Sequence, residues 1–115
     1  MQEIQFKTLM TIGIQPKHKG FFYLAYILTE LKKNPDELYD LHRNVYPQLC
    51  SRYRTNDASI ERNIRFAVTY AWTYGNKALF QKIFNSDWCP SVREFISMLA
   101  MVMRYSDEEL HNLLS

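Results

Sequence analysis

Arg62 and Arg65 stand three residues apart, Glu61 precedes Arg65 by four positions, and Ser59, Asn63 and Phe66 are interleaved among them. Three and four are helical spacings, so on a helix these side chains gather on one side and its edges. A guanidinium fork matches guanine O6 and N7, a carboxylate accepts from the cytosine N4 amine, and an apolar ring meets the thymine methyl. Glu61 has a second use, holding the Arg65 guanidinium in place from four residues away. The chemistry these residues offer is the reading of base edges, with Ser59, Glu61, Arg62, Asn63 and Phe66 as base contacts. Lys19, Arg52, Arg54 and Arg65 are candidates for phosphate.

Other chemistries lack their residues. His18, His42 and His111 are far apart with no metal-ligand spacing, which suits surface or capping roles. Cys50 and Cys89 are isolated, forming neither a CxxC pair nor a Cys/His set, and they fit a reducing cytoplasm. No nucleophile-base pair, glycine-rich phosphate loop or paired-carboxylate motif is present, so no enzyme, cofactor or metal is expected. The formal net charge of +2 is too mild to establish nucleic-acid binding by itself. Its distribution is more telling: five arginines (43, 52, 54, 62 and 65) face only Asp57 and Glu61 between positions 43 and 65, a local +3. Two arginines and a glutamate are equally the pattern of a solvated helix face, and spacing alone does not decide between the two readings.

The elements that must carry these residues are helical. Among 115 residues only 3 are Gly and 4 Pro, apolar residues make up 47% and charged ones 23%, so one folded all-α domain is expected, a compact bundle of about six helices. Residues 5 to 14 read as a short helix with Phe6, Leu9, Met10 and Ile14 on one side, closing near Gly13 and Pro16. From about Lys17 to Lys33, Phe21, Leu24, Ala25, Leu28 and Leu31 form one helical face, which Asn34-Pro35 stops. Leu38, Leu41, Val45, Leu49 and Tyr53 continue a stripe that Pro47 should kink or divide. Thr55-Asn56-Asp57 suits a helix N-cap, followed by a helix of about 58–74 with Ile60, Ile64, Ala67, Val68 and Ala71 buried, ending at Gly75-Asn76 as a left-handed cap. A short helix over 77–84 and a last one opened by Pro90 or Ser91 complete the bundle. Ser106 could cap a further turn, and the leucines at 110, 113 and 114 need a partner surface. The aromatic residues, Trp72 and Trp88 included, are expected mainly in the core, with Phe66 pointing outward. The beginning lacks a basic stretch followed by an apolar run, and no apolar run approaches the roughly 18 residues a bilayer requires, so secretion and membrane insertion are not expected.

A short helix, a tight polar connection and a longer helix over 47–74 make the helix-turn-helix plan, in which the first turns of the second helix reach base edges in the major groove. The chain also resembles the C-terminal effector domain of the sporulation master response regulator, the stage zero transcription factor of endospore-forming Firmicutes. The resemblance rests on Ile12-Gly13-Ile14, Lys19-Gly20, Tyr23-Leu24, Tyr46-Pro47, Ile60-Glu61-Arg62, Ile64-Arg65, Ala71-Trp72, Gly75-Asn76 and Glu94-Phe95-Ile96, spanning roughly residues 8 to 104, with 105–115 as an extension. It implies a six-helix domain binding double-stranded DNA at boxes of the TGTCGAA type, in head-to-tail pairs or as a homodimer, with contacts to RNA polymerase. Ser59 and Phe66 stand where the resemblance expects arginine and histidine, which implies relaxed or redirected box recognition, and Tyr74 stands where arginine is common, which implies fewer phosphate contacts. The segment 85–89 is shorter than the family's loop and lacks its lysines, implying fewer phosphate contacts. The family's receiver domain has no counterpart in these residues, implying either an excised domain or a stand-alone protein governed by abundance or a partner. The rival expectation is a non-catalytic protein-interaction module, which keeps the fold and binds a regulator or polymerase instead of DNA.

Overall fold

Scarce glycine and proline, with apolar residues recurring at three and four, leave the helix as the natural way to bury this chain's side chains. The computed structural model describes residues 3–104 and Asn112, and among these every regular element is helical. In chain order they are α1 (Glu3–Ile12), α2 (Lys19–Lys33), a 3₁₀ segment (Pro35–Asp40), α3 (Leu41–Asn44), α4 (Tyr46–Tyr53), α5 (Asp57–Tyr74), α6 (Lys77–Phe84) and α7 (Val92–Val102). The all-α expectation holds, with seven α-helices if the single turn of α3 is counted. The expectations placed on Ser106, His111 and the leucines at 110, 113 and 114 lie outside the described residues.

α2 is the centre of the bundle, packed against α1, α5 and α7. Phe21, Tyr23, Leu24, Ala25, Ile27, Leu28 and Leu31 are all buried, so its apolar surface is wider than the single stripe predicted. It begins at Lys19 rather than Lys17 and gives way to Pro35 as expected. α1 is rotated from its predicted orientation: Gln5, Thr8, Leu9 and Ile12 face inward, and Met10 is 50% exposed. Positions 5, 8, 9 and 12 obey the helical template as well as the predicted set does. Thr8 is tolerated inside because its hydroxyl donates to the Ile4 carbonyl at 2.7 Å. Gly13 then turns the chain with φ +109°, the Ile14 N–H reaching back to the Leu9 carbonyl at 2.9 Å, and Ile14 is buried beyond the helix end.

Of the two outcomes expected at Pro47, a kink or a division, the chain takes the division: α3 and α4 are two short helices, and Pro47 helps open the second. The break falls at Val45 (φ −122°, ψ −45°), and Pro47 occupies the first turn of α4, where a missing N–H costs nothing. Leu41, Val45 and Leu49 are buried as predicted, but Tyr53 closes α4 half outside, its ring edge-on to Tyr23 at 5.1 Å. Phe84 stacks on both Phe80 and Phe95, Phe80 meets Trp72 edge-on at 5.5 Å, and this aromatic cluster joins α5, α6 and α7. Trp88 departs from the expected aromatic core at 73% exposed: Ser86 Oγ bonds both its N–H and its carbonyl, holding the backbone while the ring faces water. Ser91 opens α7 through a capping box with Glu94.

Candidate nucleic-acid interface

α4 and α5 are joined by three residues. Arg54 ends α4 in the left-handed region (φ 52°, ψ 55°), its N–H and that of Thr55 both donating to the Cys50 carbonyl. Asn56 caps α5, its side-chain oxygen accepting from the Ser59 N–H at 2.9 Å, so α5 starts at Asp57, one residue earlier than predicted. This is a helix-turn-helix connection made by one left-handed residue and one cap.

The inner face of α5 is fixed by Ile60, Ile64, Ala67, Val68 and Ala71, all buried as predicted. Two glycines set how closely the rest of the chain approaches it. A Cβ on Gly20 would lie 2.4 Å from the Asn63 carbonyl oxygen, so the first turn of α2 sits directly against the α5 backbone. Gly75 ends α5, but not as a left-handed cap: its φ is −92°, and a Cβ there would meet the Ala71 carbonyl at 2.5 Å while the Gly13 Cα lies beyond at 3.1 Å. Glycine is required because a side chain would collide with the Ala71 carbonyl of the same helix, the α1 turn adding a tight approach; Asn76 serves instead as the N-cap of α6, accepting from the Leu79 N–H at 3.1 Å.

The outer face holds Arg62, Arg65, Phe66 and Thr69, all exposed. Among the described residues neither Arg62 nor Arg65 is in an ion pair, which leaves both guanidinium forks free. Ser59 and Asn63 are half-buried and tied to each other, the Asn63 amide donating to the Ser59 carbonyl at 2.8 Å and to its Oγ at 3.3 Å. Phe66 is 58% exposed, as expected, with His18 edge-on to its ring at 4.9 Å. His18 also meets Tyr70, and burial followed by the Lys17 charge lowers its pKa. Lys19 is exposed at the start of α2; Arg54 is exposed in the turn; and Arg52 is exposed at the end of α4, 6.0 Å from the ring centroids of Tyr26 and Tyr53. The predicted phosphate candidates thus come from the starts or ends of α2 and α4, the turn between α4 and α5, and the middle of α5.

Glu61 is not spent on Arg65. Its Oε1 takes His42 Nε2 at 3.1 Å and the Tyr46 hydroxyl at 3.4 Å, leaving Oε2 without a partner among the described residues. The other ring nitrogen of His42 meets Asp57 Oδ2 at 2.8 Å, and the Cys50 thiol donates to Asp57 Oδ1 at 3.3 Å. The hydrogen bond to Asp57 raises the His42 pKa, burial opposes it, and the Glu61, Asp57 and Asp40 charges add to the rise. Asp57 is lowered by the same bond. The sequence places His42 at the surface and Tyr46 within a family motif but shows neither as a partner of Glu61: His42 is fifteen residues from Asp57, nineteen from Glu61 and on another helix, a pairing that no periodicity displays. A cleft of ≈ 540 Å³ opens beside this cluster, lined by Arg65 and Thr69 of α5 and by Ser91 and Arg93 at the opening of α7 among others.

Residues 6–103 match the family described as Sporulation initiation factor Spo0A C terminal. The chain belongs to that family, and with it to the DNA-binding effector domains of sporulation regulators. No helix among the described residues is long and apolar enough to cross a membrane.

Proposed function

We propose that this member of the sporulation initiation family is a sequence-specific transcriptional regulator whose α5 enters the major groove of double-stranded DNA. The observation that carries the reading is the pair of exposed, unpaired guanidinium groups at Arg62 and Arg65 on the first half of a helix whose opposite face is locked into the core. Arg62 forks to guanine, Glu61 offers its free Oε2 to a cytosine amine, and Ser59, Asn63 and Phe66 complete the base-facing set. Lys19, Arg52, Arg54 and Arg65 anchor phosphates on either side. Repeated boxes bound head to tail, with RNA polymerase as a protein partner, belong to the same reading. The second reading, a module that binds a regulator or polymerase in place of DNA, draws support from the exposed rings of Phe66 and Tyr74 on one helix.

Selection of bound sequences from a random double-stranded DNA pool tests both. A regulator enriches a defined box and releases it steeply as salt rises, because each neutralised phosphate returns counterions to solution. Failure to enrich any sequence, with negligible DNA affinity even at low salt, would leave the protein-binding reading standing.

A further inference from the structure

The cluster at the first turns of α5 has a feature that reading DNA does not require. An ionised carboxylate only accepts hydrogen bonds, and a neutral imidazole donates from one nitrogen alone. In His42 both nitrogens face carboxylate oxygens, at 2.8 Å to Asp57 and 3.1 Å to Glu61. Only the imidazolium satisfies both contacts; the neutral ring must set a lone pair against one of them. Resting on the reading of α5 as the recognition helix, we propose that His42 is a positioning residue: as the imidazolium it clamps Glu61 and offsets one of the two carboxylate charges at the groove-entering end of α5, so that DNA affinity falls as His42 loses its proton.

The surroundings favour this role. From the preceding 3₁₀ segment Asp40 faces the ring, itself paired with Arg43 at 3.7 Å. α4 contributes Tyr46, edge-on to the ring at 4.8 Å, and Cys50, bonded to Asp57. α5 contributes Asp57 and Glu61, with Arg65 in the same cleft; Arg93 and Cys89 line it as well. Among the described residues neither carboxylate has another ion-pair partner, so His42 is the one cation in direct contact with both. When the ring turns neutral, one unit of negative charge is uncovered close to DNA phosphates, and one of the two carboxylates, Asp57 or Glu61, loses its donor on the ring. The direction of the His42 pKa, upward through Asp57, brings the change toward neutral pH, where it can be exercised.

The test is DNA affinity, by fluorescence anisotropy with the selected box, from pH 6 to pH 8.5 for the full chain and for His42→Gln and His42→Lys. The unaltered protein is expected to lose affinity by about fivefold or more across that range, within the span usual for coupled equilibria. His42→Gln should bind weakly and without that dependence, and His42→Lys, charged throughout, should bind with the strength of the acid limb at every pH. His18 and His111 are present in all three proteins, so the difference belongs to position 42. NMR titration of the His42 ring supplies a second measurement: by reciprocity, added DNA must raise its pKa further. A flat profile in the unaltered protein, an undiminished one in His42→Gln, or a His42 ring whose titration DNA leaves in place would overturn the coupling alone. Absence of DNA binding at every pH would overturn the reading of α5, and the coupling with it.

Discussion

The two faces of α5 are organised by different physics. Its inner face is a row of aliphatic side chains at helical spacing, Ile60, Ile64, Ala67 and Ala71, each without measurable exposure and held from behind by the α2 backbone at Gly20. Its outer face is packed only where the His18 ring meets Phe66 and Tyr70; elsewhere, free arginines stand beside an imidazole that cross-links two carboxylates. One face obeys volume and burial, which tolerate almost no change in shape. The other obeys charge and hydrogen bonding, which tolerate changes in shape but not in proton count. If the division is real, substitutions on the two faces must separate stability from binding.

The largest separation is expected from Ile64→Ala. Removing a fully buried side chain should lower the free energy of unfolding by about 2–5 kcal/mol, measured by urea denaturation, while any DNA affinity of the protein that remains folded changes little. Arg62→Ala should do the reverse. Specific binding weakens by about 1–3 kcal/mol, and unfolding stability stays within roughly 0.5 kcal/mol, because the side chain is exposed and unpaired. An Arg62→Ala protein that unfolds early, or binds its box as before, would merge the two faces again. Between them lies the cap. Asn56→Ala leaves the Ser59 N–H without its 2.9 Å bond and should cost about 0.5–2 kcal/mol of stability, with binding loosened as the first turn of α5 frays.

The same division explains what the sequence disclosed. The inner face was legible because burial imposes a period, and Ile60, Ile64, Ala67, Val68 and Ala71 are buried as their spacing required. Legibility failed where burial is shared with polar groups or set by distant backbone. Met10 looked like core because Gln5 and Thr8 are polar, yet Thr8 satisfies its hydroxyl within its own helix. Gly75 looked like a left-handed cap, but glycine stands there because a side chain would collide with the Ala71 carbonyl and crowd the α1 turn at Gly13, a neighbour 62 positions away in sequence. On the outer face, residue types and spacing located Arg62 and Arg65 as free cations. They could not reveal that Glu61 faces His42 instead of Arg65, since that choice depends on where α3 is brought by the break at Val45.

The smallest expected effect tests whether the outer cluster contributes to folding at all. His42 has its pKa raised by Asp57, so its contribution to stability is complete below about 6.5, the ordinary imidazole value, and disappears as pH rises through the higher folded value. Asp57 is lowered by the same contact, and its contribution holds above about 3.9 and disappears as pH falls through its lower folded value. Both describe one bond, so the gain is counted once and is greatest between the two limits. His18 acts with the opposite sign: its lowered pKa makes the fold gain stability as pH rises from the lowered folded value to about 6.5, above which the gain is complete. The unaltered melting profile therefore mixes the two histidines, and the difference between it and that of His42→Gln isolates the clamp. That difference should be positive near pH 5.5, shrink toward pH 8, and shrink also in half-molar salt, because both partners are substantially exposed and their attraction is screened. A difference that stays constant with pH would mean that His42 contributes through packing on Tyr46 instead of through its charge.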